Sequence, residues 1–207
     1  MHLLGRSSLY YIYPLNTTAM KRLFTLFIAT FLALGTLSAQ QADHFTFKGI
    51  PIDGSLSAFG NKLAAEGFTK VGTNTYRGKF LRNECLIALV GDDDNMIWRV
   101  AAIFPASDTW SVLESSFNGY VDLYSEKYGR PTTIKKEFNT YTGDNPGLKM
   151  IAIDNGECNY FAVWNLPQGS IEVRIVKTNK YNEGAIRVVY TDNANKDSVR
   201  KSDLEEI

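Results

Sequence analysis

Cys85, Cys158, His44 and a scatter of acids are the side chains in this sequence with types suited to chemistry. A Ser-His-Asp or Cys-His hydrolase needs an imidazole to carry the proton. Past the N-terminal leader only His44 supplies one, and it reads as a surface residue at a strand start. A histidine-rich zinc site is arithmetically excluded, and two cysteines cannot make a cysteine-only one. Asp92-Asp93-Asp94-Asn95 looks like a calcium loop. An EF-hand loop, however, needs glycine at its sixth position and glutamate at its twelfth, where this chain has Ile97 and Ile103. The acidic run therefore reads as a solvated hairpin tip, and no metal or cofactor is implied.

The remaining candidates bind rather than react. Trp110, Phe117, Tyr120, Tyr124 and Tyr128 recur at helical spacing, the pattern of a helix face laid on a sheet. Tyr120 and Tyr124 lie at the stripe's edge, and their hydroxyls want a polar partner. The segment 139–147 is rich in Gly, Pro, Asn and Asp and reads as a protruding loop offering Tyr141, Asp144 and Asn145. Asp144 and Asp154 are the acids that a carboxylate-based hydrolase would combine across the fold, whereas Glu114 and Glu126 are too far apart along one helix. Cys85 and Cys158 could form a disulfide or remain two buried strand thiols. A bridge requires Cα atoms within about 7 Å, and free cysteine packs as a small hydrophobe.

The compartment comes from the leader. Met20-Lys21-Arg22, the apolar run Leu23 to Leu37 and Ser38-Ala39-Gln40 make the three parts of a secretory signal. The run is shorter than the roughly 20 residues of a membrane span, and no cysteine follows it to carry a lipid. Residues 1–19 read as an over-extended start and 20–39 as the signal, with cleavage near Ala39, giving a periplasmic or secreted protein without a stable membrane anchor. Lys and Arg number 22 against 22 Asp and Glu, and Arg6, Lys21 and Arg22 leave with the leader. The remainder is mildly acidic, with no basic cluster to suggest nucleic acid.

The elements that must position these residues repeat. Glu84-Cys85-Leu86-Ile87-Ala88-Leu89-Val90 resembles Glu157-Cys158-Asn159-Tyr160-Phe161-Ala162-Val163, and each is followed by a turn and a second strand around Val100 or Val173. A helix precedes each pair, from about Ser55 to Glu66 and from about Thr109 to Lys127, stopped by Gly67 and Gly129. Extended runs 68–71 and 75–81 fill the first copy, and 132–138 and 148–154 the second. Strand 185–190 extends the second sheet or closes the first. The pattern predicts an α+β fold, a tandem helix-plus-antiparallel-sheet duplication in one domain. Its copies run from 40 to 106 and from 107 to 191, and a charged tail occupies 192–207.

Phe47-Lys48-Gly49-Ile50-Pro51-Ile52-Asp53-Gly54, with Gly67-Phe68 and Lys127-Tyr128-Gly129-Arg130-Pro131, resembles an uncharacterised family of exported Bacteroidetes proteins. The duplication is similar in outline to tandem β-lactamase-inhibitor-protein-like domains and to the BamE-like fold. That resemblance implies binding of other proteins through a sheet face, and it assigns no residue a role. The expectation is an exported, non-catalytic binding module for a protein, peptide or glycan, the alternative a secreted carboxylate-based hydrolase.

Overall fold

A computed structural model of the protein describes residues 43–205. The chain divides into the units Met1–Gln41 and Ala42–Ile207, so the leader, its cleavage point and the start at 1–19 lie outside the described residues. Among the described residues no helix is long and apolar enough to cross a membrane.

The head motif folds as a hairpin, β1 (Thr46–Phe47) and β2 (Ile50–Pro51), turning through Lys48 and Gly49, both at positive φ. Helix α1 (Leu56–Ala65) follows, its Ser55 hydroxyl accepting the Ala58 N–H at 3.1 Å and so satisfying an otherwise orphan donor. Four strands come next: β3 (Thr69–Lys70), β4 (Thr75–Phe80), β5 (Asn83–Gly91) and β6 (Ile97–Ile103). Helix α2 (Trp110–Tyr128) buries Trp110, Leu113, Phe117, Val121 and Tyr124 and stops at Gly129, whose φ of 80° is open to glycine without strain. Thr109 is the residue before its first turn and makes no side-chain cap. The Ser107 hydroxyl bonds the Thr109 N–H instead. Then come β7 (Thr133–Phe138), α3 (Pro146–Asp154), β8 (Cys158–Asn165), β9 (Gly169–Lys177), β10 (Gly184–Asp192) and α4 (Asn193–Glu205).

β3 to β10 form one antiparallel sheet in the order β3-β4-β5-β6-β10-β9-β8-β7. Strand β10 does both things its sequence allows, pairing β9 on one side and β6 on the other, and it fuses two four-strand meanders. The α+β class stands, with two corrections. The run 148–154 is helix rather than strand: Pro146 sits in its first turn, and the Asn145 side-chain Oδ1 accepts the N–H groups of Gly147 and Leu148 at 2.9 and 3.2 Å. Cys85 lies near the start of the third strand of its meander and Cys158 opens the second of its own, so the cysteine-anchored alignment pairs strands that hold different places in the sheet.

Helices α1, α2 and α3 and the β1–β2 hairpin all cover one face of the sheet. Across it runs the buried row Tyr76, Ile87, Ala102, Val188, Val173 and Ala162. Phe47 meets Phe80 and Tyr190 with ring centroids at 4.8 and 5.2 Å. The Trp164 indole N–H donates to the Gly129 carbonyl at 2.9 Å, tying the end of α2 to β8.

His44 is not a surface residue. Its Nδ1 lies 3.1 Å from Asp192, a fully buried carboxylate that also accepts the N–H groups of Phe45 and Asn195, and its Nε2 lies 3.6 Å from Asp53. Asn195 in turn donates to the Ile52 and Ile97 carbonyls at 3.0 and 2.8 Å. This knot joins the N-terminal hairpin, β6, β10 and the first turn of α4. The tail is therefore a helix held by its start.

Candidate functional site

Side chains alternate across a strand, so each buried row on the helix side implies a row facing away. One such row crosses seven strands by direct register: Arg77, Leu86, Ile103, Arg187, Arg174, Phe161 and Lys135. It carries four cations and no acid. The adjacent row is Thr75, Ala88, Ala101, Val189, Glu172, Val163 and Thr133, with short side chains except for its single acid. Leu86, Ile103, Phe161 and Val163 are half-buried on this face although no helix from α1 to α3 covers it.

The centre of the face is electrostatically organised. Arg174 holds Glu172 with two N–H donors at 3.0 and 3.3 Å, and Arg187 reaches the same carboxylate at 3.4 Å. Burial alone would raise the Glu172 carboxyl, but the hydrogen bonds and charges of Arg174 and Arg187 overcome it and hold it below the ordinary value. A shift in the register between β5 and β6 at Val90 and Gly91 sets Trp98 beside Arg99, whose guanidinium lies 4.2 Å over the indole ring. The Arg99 Nε–H donates to Thr191 at 3.3 Å, and burial lowers its pKa from the ordinary guanidinium value. Arg174 lies 4.4 Å over the Phe161 ring. Two guanidiniums thus hold one carboxylate, a third, that of Arg99, stands near enough to feel its charge, and the Arg187 Nε–H is buried without an acceptor. Beside Arg187 the face opens into a hollow of about 310 Å³ lined by Arg77, Leu86, Ile103, Pro105 and Ala185.

The residues singled out from the sequence fall elsewhere and do not converge. Tyr141 is 88% exposed on the segment before α3. Asn145 caps α3, and its side-chain oxygen is already committed there. The extra length of the second half is this helix, not a longer hairpin loop. Asp144 precedes α3 and Asp154 ends it, where it accepts the Asn182 N–H at 2.7 Å. A helix of this length separates them by roughly 13 Å, so the two acids do not form a hydrolase pair. Tyr124 is buried, its hydroxyl 2.6 Å from that of Tyr190, and burial raises its pKa. Tyr120 stacks on Phe104 at 4.5 Å and takes an Asn83 N–H at 3.1 Å; burial pushes its hydroxyl up to about 12. It lines a cleft of about 470 Å³ with Leu81, Val112, Leu123 and Ile186.

Cys85 and Cys158 are free. Strands β6, β10 and β9 lie between them, a separation of roughly 19 Å at one strand spacing each, so an intramolecular bridge is corrected on geometry. Burial raises both thiols to about 11. At pH 8 each should hold about 100-fold less thiolate than an ordinary cysteine. Ellman's reagent should therefore label the native protein slowly, with a rate rising about tenfold per pH unit, and label both thiols at once after denaturation. Rapid labelling at pH 8 would contradict this burial.

Sequence reading missed Trp98, Arg99, Phe161, Glu172, Arg174 and Arg187. The signal was present in Ile171-Glu172-Val173-Arg174-Ile175, a period-two strand whose polar side faces away from the core. Which strands stand beside it decides that this side is an arginine cluster, and that is long-range information. No family model matches the chain, and no curated protein or solved structure matches it.

Proposed function

We propose that this protein is an exported, non-catalytic binding module that takes a protein partner on the sheet face opposite α1, α2 and α3. The observation that carries the reading is the composition of that face. Arginine and aromatic side chains dominate the energetics of protein interfaces, and here Arg99, Arg174, Arg187, Trp98 and Phe161 are set among half-buried Leu86, Ile103 and Val163. The charges are held by one another rather than poised to exchange protons, which supports recognition over acid–base catalysis. Export rests on the signal-like leader, and the periplasm or the exterior is the compartment proposed.

The two meanders are proposed as copies of one helix-plus-four-strand unit, paired in chain order so that β5 corresponds to β9 and β6 to β10. In support, α1 packs on β5 and α2 on β9, the third strand of each meander. The helix α3 is then an insertion in the second copy.

Photo-crosslinking in the native envelope tests the binding reading. A photoreactive residue at Val163, on the face, should give one discrete protein adduct, and the same group at Tyr141 or Tyr120 should give none. Adducts from Tyr141 or Tyr120 with none from Val163 would move the site off the sheet. Intact mass of the exported species should show loss of residues up to about Ala39, and a species retaining Met20 to Ala39 would refute cleavage.

A further inference from the structure

Resting on that reading, we infer that the partner presents an apolar side chain followed by carboxylates, seated along the row from the Leu86–Ile103 hollow to Arg187 and Arg174. The hollow of about 310 Å³ is walled by Leu86, Ile103, Pro105 and Ala185, with Arg77 and Glu84 also in its lining, and accommodates one aliphatic or aromatic side chain rather than an acid. One strand away stands Arg187, with its buried Nε–H lacking an acceptor, and next to it Arg174. Glu172 is the one carboxylate among three guanidiniums, so the patch retains two positive charges to be met from outside.

Charge decides among occupants. A second copy of this chain would set arginine against arginine across the face and is disfavoured. A uniform polyanion would meet Glu172 at the centre and Glu84 and Glu137 at the margins, and would leave the apolar hollow unfilled. A protein segment mixing apolar and acidic residues satisfies both features. Strands lie about 4.8 Å apart and an extended chain advances about 3.4 Å per residue. A segment crossing the strands from the hollow therefore brings positions about two to four residues on over Arg187 and Arg174.

Titration of the isotopically labelled full chain with a synthetic peptide containing Leu-Ser-Glu-Ser-Glu tests this by NMR. The Nε–H signals of Arg187 and Arg174 and the Trp98 indole should shift together. The Leu-Ser-Gln-Ser-Gln analogue and the Ser-Ser-Glu-Ser-Glu analogue should each bind at least tenfold more weakly. Arg187→Gln should lose at least tenfold in affinity for the acidic peptide while melting as the parent does. If that variant unfolds, Ile103→Ser, on a different strand, should lose the leucine dependence. Equal binding of the glutamine analogue overturns the carboxylate seat but leaves the face as a binding surface. Shifts confined to the Tyr120 cleft or the Tyr141 segment overturn the binding reading itself. Absence of any shift with the acidic peptide, or binding by dextran sulfate as tight as by the peptide, overturns the inference.

Discussion

Phe117→Ala lowers the unfolding free energy by about 3–5 kcal/mol, the range for deleting a large aromatic side chain from a packed core. The ring is fully buried in the middle of α2, edge-on to Tyr160 with centroids 5.8 Å apart, and α2 rests on β8, β9 and β10. Removal leaves a cavity between helix and sheet that neither can collapse into, because Trp110 and Tyr124 brace the helix on either side. Urea unfolding should show a lower midpoint at an unchanged slope, and the melting temperature should fall by roughly 10 °C or more. Val112→Ser, on the exposed side of the same helix, should stay within about 0.5 kcal/mol of the parent. An unchanged midpoint for Phe117→Ala would mean the stripe is a solvent-facing platform, and the helix would have to be repositioned.

Local periodicity made most of the elements legible. The stripe through Trp110, Leu113, Phe117, Val121 and Tyr124 has helical spacing, and Gly129 is a ready stop, so α2 could be read to within a residue of each end. The strand around Cys85 and that around Cys158 were equally clear, but their likeness was misleading. Two strands that are buried on one face and begin with Glu-Cys look alike whatever place they hold in a sheet. Only the pairing of β6 with β10 shows that Cys85 lies third from its edge and Cys158 second. The segment of α3 passes as a strand in the sequence because Met150-Ile151-Ala152-Ile153 is a short continuous apolar run, which periodicity alone assigns equally to a buried strand or a helix. The deciding features were Asn145 as cap and Pro146 in the first turn.

The candidate face shows the same division. That Glu172 and Arg174 point away from Val173 follows from strand geometry alone. That they meet Arg187 does not, since Arg187 belongs to a strand placed beside β9 by the closing of the second meander. Loops attracted the sequence reading because they are rich in polar, turn-forming residues. Asn145 shows how such a residue is spent on capping a helix, leaving nothing for a ligand.

Asp192→Ala should cost about 3–5 kcal/mol, because it takes the acceptor from two buried N–H donors and from His44, at roughly 1–3 kcal/mol for each buried orphan. The carboxylate is fully buried at the end of β10 and serves three donors: the Phe45 N–H at 2.6 Å, the Asn195 N–H at 2.9 Å and His44 Nδ1 at 3.1 Å. Alanine leaves the buried Phe45 and Asn195 N–H groups without their acceptor and the part-buried His44 without its partner, and the penalty for buried orphans exceeds the net worth of the bonds themselves. Asp192→Asn keeps the shape and one oxygen, so it should lose less than alanine does. Asn195→Ala removes the two bonds that hold the Ile52 and Ile97 carbonyls. Because Asn195 and Asp192 share one network, the double variant should cost less than the sum of the singles. Hydrogen exchange locates the damage: the Phe45 amide should lose protection first, as the β1–β2 hairpin detaches from β10, while Val173 and Val188 at the sheet centre stay protected to global unfolding. A loss below about 1 kcal/mol, with Phe45 still protected, would show that the aromatic contacts of Phe47 with Phe80 and Tyr190 hold the hairpin without the carboxylate.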